Sequence, residues 1–315
     1  MEEESAGALG ALGDGILWVL TEFAMAFYNL GYAITHPASW LDWVIWDNTK
    51  EDKASLMKTV YYGASSELFF VFTAFFIVLF AIGVWKSNIL WCAVRVLEGL
   101  ANTVGRFAAW AGLAMVLQQV IIVFMQRIFT RPDIVFGFGV PLDFDISWYA
   151  EELKLYNAMV VALCLTYTFV QGGHVRVDLI YSAVSFRTKK VIDMVGAIIF
   201  MVPMAVLIWM YNWFFMWRSL VVPPVSPSDP LQRLELKARA VRWNVETIGF
   251  SPNGFTGYFL FKVLMVVMVG MIFLHAWAFF YRSFLEWREG EESENKYLDK
   301  DVLEAGEEPY DHAEF

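Results

Sequence analysis

Cysteine is almost missing from this chain: Cys92 and Cys164 are the only two in 315 residues, far apart and each in apolar surroundings. That excludes a disulfide framework and any Cys-x-x-Cys metal or redox motif. Charge is sparse as well, at 18% of residues against about 25% in soluble domains. There are four histidines but no glycine-rich phosphate loop, no Gly-x-Ser-x-Gly elbow and no His-Glu-x-x-His, so the common enzyme signatures are absent. The apolar segments carry few polar residues and no paired broken helices of an inverted repeat, which argues against a self-sufficient secondary transporter. Nothing in the charge pattern calls for nucleic acid. These absences point to a non-catalytic accessory membrane subunit without a cofactor.

What is abundant is apolar. With 58% hydrophobic residues, 17% aromatics and a mean hydropathy of +0.49, the chain reads as an all-α integral membrane protein. The Met1-Glu2-Glu3-Glu4 start lacks a basic n-region, so the first apolar segment is expected to be retained. Of the net charge of −10, residues 286–315 hold −9, with twelve acidic and three basic residues. From Glu289 onward the sequence is therefore expected to be a solvated, disordered tail.

About 20 mostly apolar residues cross a bilayer, and on that measure about six spans are expected. Gly15 to Ile34 is weak because it carries Glu22 and Asn29; if it lies on the surface, five spans remain. Ser39 to Trp46 has capping-box spacing at Ser39 and Asp42 and tryptophans at 40, 43 and 46, which suggests a short interfacial helix. Asp47 to Lys58 reads as a charged connection. Spans follow at Leu68–Trp85, Ala101–Phe124, Trp148–Val170, Ile192–Trp217 and Tyr258–Phe280, with a loop from Arg131 to Ile146. Pro203 should kink the fourth of these near mid-membrane. Asp229 as cap and Pro230 at the first helical position predict an amphipathic surface helix through Trp243, with Leu231, Leu234, Ala238 and Val241 on one face. Lys86, Arg95, Arg106, Arg176, Arg187, Lys189, Lys190, Arg282 and Arg288 fall on one side, expected to be cytoplasmic together with both termini.

Polar groups near spans face protein or water. Arg127 closes one span and Glu151 and Glu152 open the next, on the same side. They are expected either to form an ion pair locking the hairpin or to contact another subunit. Gly172 and Gly173 end a helix, and His174, Arg176 and Asp178 follow within five residues. Arg176 and Asp178 are two apart and would not face each other on a helix, so they are expected to reach neighbouring helix ends or lipid phosphate. His174 and His275 leave open a haem- or quinone-binding anchor of a redox complex.

Three runs carry a family resemblance: Gln126-Arg127-Ile128-Phe129, Trp148-Tyr149-Ala150-Glu151-Glu152-Leu153, and Gly173-His174-Val175-Arg176-Val177-Asp178-Leu179. In this order and spacing, from about Glu98 to Leu285, the chain resembles the small, DctQ-like membrane subunit of a tripartite ATP-independent periplasmic (TRAP) transporter. The resemblance implies a non-catalytic scaffold in the bacterial inner membrane. Its large partner, the M subunit, would carry solute and sodium, and a periplasmic solute-binding protein, the P subunit, would deliver an organic acid or related solute. It also implies that Arg127, Glu151, Glu152, Gly172, Gly173, His174, Arg176 and Asp178 serve structure and subunit docking. Residues 1–97 then form an N-terminal extension, 98–285 a four-helix domain and 286–315 the acidic tail.

Overall fold

The structure, a computed structural model, describes residues 2–130, 133–137, 141–173, 184–247 and 254–299, with side chains except at 2–9, 11, 12, 16, 133–137 and 141–144. The chain opens with α1 (Glu2–Thr35), α2 (Ala38–Leu41), a 3-10 turn (Asp42–Val44) and α3 (Lys50–Tyr62). It continues with α4 (Ser66–Trp85), α5 (Ser87–Arg127), a hairpin of β1 (Asp133–Gly137) and β2 (Pro141–Asp145), and α6 (Ile146–Gln171). After α7 (Phe186–Arg218) come β3 (Val221–Val222), α8 (Leu231–Ala238), β4 (Arg242–Trp243) and α9 (Phe259–Glu289).

Five of these helices are long and apolar enough to cross a membrane: α4, α5, α6, α7 and α9. They match the five stronger expected spans. The weak first segment lies in α1, which is not among the five. It packs along α4, where Asn29 Nδ2 donates to Glu67 Oε2 at 2.7 Å and Trp18 and Phe23 meet Phe70 edge-on.

The most enclosed helix is α9. Its apolar window is 44% buried, against 11–22% for the other four, so the bundle is organised around it. Phe76 and Phe80 of α4, Trp91 and Val94 of α5, and Val202 and Ala205 of α7 close on Phe273, Trp277, Tyr281 and Leu285. The Phe76 and Trp277 rings stack at 5.1 Å, and the buried Tyr281 hydroxyl donates to Phe76 O at 2.7 Å. Helices α5 and α6 form an antiparallel pair made possible by Gly105: a Cβ there would lie 2.2 Å from Tyr167 Cβ.

Helix boundaries follow local chemistry. The Asp145 carboxylate accepts from Ser147 N at 2.8 Å and starts α6. Gly172 at φ +78° ends it, with Gly172 N donating to Phe169 O and Gly173 N to Thr168 O, the paired bonds of a Schellman stop. In α7 a π-helical turn, Ala197–Met201, stands just before Pro203. Proline offers no N–H to the preceding turn, and the widened turn is how the helix absorbs the loss.

Several expectations change. Ser39 and Asp42 form no capping box; Ser39 Oγ donates back to His36 O at 2.7 Å, and α2 starts after Pro37. The capping box lies ten residues on, between Thr49 and Asp52, and turns the supposed charged connection into α3. That helix buries Leu56, Met57 and Val60, whose i, i+1, i+4 spacing is an apolar helix face inside a polar run. The loop from Arg131 to Ile146 contains the β1–β2 hairpin, in register Asp133 with Asp145. Asp229 caps no helix. It accepts from Ser226 N at 3.0 Å and pairs with Lys237, and α8 stops at Ala238 because the chain turns to pair Val222 with Arg242 in the β3–β4 ladder. The apolar face of this helix is as expected, with Leu234, Ala238 and Val241 buried.

Candidate subunit-docking site

The two adjacent glutamates at the start of α6 hold two different neighbours. Glu151 Oε2 accepts from Phe255 N at 3.0 Å and from the Tyr258 hydroxyl at 3.4 Å, tying α6 to the entry of α9. Glu152 accepts from Gln118 Nε2 at 3.0 Å and from the Tyr156 hydroxyl at 3.4 Å, tying α6 to α5. Arg127 is exposed and pairs with neither glutamate among the described residues, so the expected hairpin ion pair does not form. The first turn of α6 packs level with Ile122, through Ile146 and Tyr149. Arg127 lies five residues, more than a turn, beyond that contact. Gly172 and Gly173 terminate α6 as described; His174, Arg176 and Asp178 lie outside the described residues.

At the membrane boundary where α4, α6 and α9 end and α7 begins, there is a buried charge cluster that sequence reasoning missed. Arg282 grips Glu98 in a fork, with Nε and Nη2 each 2.5 Å from a carboxylate oxygen. Its Nη1 reaches Lys296 O at 3.1 Å and Glu286 at 3.4 Å. Glu286 in turn pairs with Lys190 of α7 at 2.6 Å. The four charged groups come from three helices, and each side chain is at most 11% exposed. Two carboxylates and two cations balance, which is the condition under which buried charge is tolerated.

This cluster fastens the start of the tail. Residues 290–299 were expected to be solvated, yet Asp299 takes both Nη atoms of Arg106 at 2.9 and 3.0 Å, and its carbonyl accepts from Asn102 and Gln171. The Arg106 hydrogen bonds hold the Asp299 carboxyl below its ordinary value. Trp91 Nε1 donates to Glu289 at 2.8 Å, and Tyr297 meets the Trp91 ring. The rest of the tail, 300–315, lies outside the described residues.

At the opposite boundary the fastening is aromatic. Trp209 Nε1 donates to Gly63 O at 2.8 Å and Trp213 Nε1 to Val60 O at 2.9 Å, so two indoles of α7 take up carbonyls at the end of α3. Trp43, Trp217 and Trp243 meet one another at 5.6 to 6.3 Å, and Trp46 joins through Trp243. Trp43 and Trp46 of the expected interfacial helix are thus partly packed against the bundle. Spacing alone could not show this, because the partners come from α7 and β4. Outside the spans, amide and hydroxyl hydrogen bonds from Thr49 hold the Asp52 carboxyl low. Burial would raise the Asp229 carboxyl, but Lys237 and the Ser226 amide bring it below its ordinary value.

These groups grip one another instead of presenting a reactive pair. Among the described residues no set of three His, Cys, Asp or Glu could hold a metal ion. His275 is buried in α9, its ring 5.5 Å from Phe169 and 6.5 Å from Phe279.

Residues 120–226 match the family model described as tripartite ATP-independent periplasmic transporters, DctQ component. The match runs from the second half of α5 through the hairpin, α6 and α7 into the proline-rich connection, and so takes in all three sequence runs singled out above. No curated protein and no solved structure matches the chain.

Proposed function

From a chain that is DctQ-like over residues 120–226, a multi-pass component of a TRAP transporter, we propose a non-catalytic scaffold that holds the large M subunit during secondary active uptake. The M subunit carries solute and sodium; a periplasmic P subunit supplies an organic acid or related solute. With α1 as a sixth, weaker crossing packed along α4, the protein sits in the bacterial inner membrane with both termini cytoplasmic, on the side that gathers Lys86, Arg95, Arg187, Lys189 and Arg288. The family match carries this reading. Support comes from the ionic and hydrogen-bonded ties among α5, α6, α7 and α9, which suit a rigid platform. The exposed face of α5, with Phe107, Trp110, Leu113, Leu117, Ile121 and Phe124, offers an apolar side to a membrane partner.

Arg127, His174, Arg176 and Asp178 are proposed to dock the partner; Glu151, Glu152, Gly172 and Gly173 hold the frame that presents them. The test is purification of the tagged chain from its native membrane together with uptake in a deletion strain. A co-purifying large membrane subunit and loss of solute uptake are expected; isolation of the chain alone with uptake intact would overturn the proposal. Arg176→Ala should lower uptake by weakening assembly without altering solute preference, and a changed preference would instead place this residue at the solute path. The haem or quinone anchor rested on His174 and His275, and no observation of the site favours it.

A further inference from the structure

We propose that the cleft between the end of α7 and the start of α9 binds the phosphodiester headgroup of a glycerophospholipid, with Arg218 as its anchor. The cleft, of about 510 Å³, is lined by Phe215, Arg218, Ser219, Glu246, Thr247 and Lys262, among others. Its back wall is set by main-chain bonds, Asn244 N to Leu220 O at 2.9 Å and Glu246 N to Ser219 O at 2.8 Å. Arg218 is the last residue of α7 and Lys262 the fourth of α9, so both stand at the boundary where two spanning helices leave the apolar layer.

The charges of the cleft do not cancel. Lys262 pairs with Glu246 and lies 4.4 Å over the Phe215 ring, which fixes its position and neutralises it. Arg218 is exposed and has no ion pair or hydrogen bond among the described residues. A single uncompensated guanidinium at headgroup depth, beside a serine and a threonine hydroxyl, suits a singly charged phosphodiester, which it can grip with two N–H donors.

The apolar surface below Arg218 points to a lipid and not a free anion. Met204, Ile208, Tyr211 and Phe215 are all exposed, and with Arg218 they recur at intervals of four, three, four and three along α7. That spacing puts them on one face. From Met204 to Phe215 the stripe runs about 16 Å at 1.5 Å per residue, close to half of a hydrocarbon core of roughly 30 Å. A headgroup held by Arg218 would therefore lay an acyl chain along this stripe for the depth of one leaflet.

Native mass spectrometry of the full-length protein in detergent, titrated with dioleoyl-phosphatidylglycerol, tests the proposal. Arg218→Gln should bind the lipid about fivefold more weakly, the loss that one membrane-facing cation gives on an anionic lipid. Arg218→Lys, which keeps the charge but loses the two-pronged donor, should fall between the parent and Arg218→Gln, and Arg239→Gln, which removes a cation outside the cleft, should stay within about twofold of the parent. Dioleoylglycerol, which lacks the phosphate, should not compete, nor should millimolar sodium phosphate. Equal binding by Arg218→Gln and the parent would overturn the proposal, as would an equal loss in Arg239→Gln or equal binding of dioleoylglycerol. Displacement by sodium phosphate would make the cleft a free-anion site and overturn it as well.

Discussion

The two membrane boundaries of this protein do the same job with different physics. At one, the tail start is fastened by Arg282, Glu98, Glu286, Lys190 and the Arg106–Asp299 fork. At the other, the N-terminal α3 is fastened by the indoles of Trp209 and Trp213 and by the contacts of Trp43 with Trp217 and Trp243. Each attaches sequence outside the DctQ-like stretch onto helices that belong to it or pack against it. The ionic boundary depends on charge balance and on the presence of every partner. The aromatic boundary depends on shape, and each indole adds one directional bond to a carbonyl that a helix end would otherwise leave open.

The largest effect should come from unbalancing the charge. Arg282→Ala leaves Glu98 buried without its cation and should cost about 3–5 kcal/mol, read as a lower unfolding temperature in detergent. Replacing both partners with apolar residues, Glu98→Leu with Arg282→Met, should recover much of that loss, because the desolvation of two charges is removed along with their attraction. No recovery would mean that the fork stabilises the bundle beyond its own balance.

A smaller loss is expected at the aromatic boundary. Gly63 has an ordinary helical φ of −66°, so its role is space: a Cβ there would sit 2.3 Å from the Trp213 ring. Gly63→Ala should cost about 1–3 kcal/mol by overpacking, and unlike the ionic boundary it should respond little to salt. Weaker still is Asp299→Asn. The Arg106 and Asp299 side chains are 43% and 59% exposed, so the loss should be at most about 1 kcal/mol. Its readout is faster proteolysis of the tail, and high salt should mimic it in the parent protein.

The pH dependence of that latch has a definite sign. Asp299 is held below the ordinary carboxylate range by Arg106, so the folded pKa lies below the unfolded one. Its contribution is therefore complete above about the unfolded value and is lost as pH falls through the folded value. Tail release, followed by fluorescence of Trp91, should occur only at strongly acidic pH and should shift upward in Arg106→Gln.

The five apolar spans, the glycine stop of α6 and the buried face of α8 were legible because each rests on neighbours a few residues away: hydropathy over one window, one residue tolerant of positive φ, one helical period. The α3 helix was legible in principle from Thr49, Asp52 and the spacing of Leu56, Met57 and Val60, but its charges hid it. The expected bond between Arg127 and Glu151 or Glu152 failed for a different reason. Sharing a side of the membrane says nothing of which turn of α5 faces the start of α6, and packing chose Gln118.

By itself, the sequence determined that this chain is helical and membrane-spanning, where most spans begin and stop, and that a stretch near its middle is DctQ-like. These follow from local hydropathy, backbone preference and short motifs. Only the tertiary structure decided that Glu98 meets Arg282 across 184 residues and that Asp299 closes on Arg106 across 193. It also decided that the Trp209 and Trp213 indoles hold α3. The reason is physical: a charge or an indole near a membrane boundary must find a partner, but which partner depends on how the helices pack, and no local period encodes that.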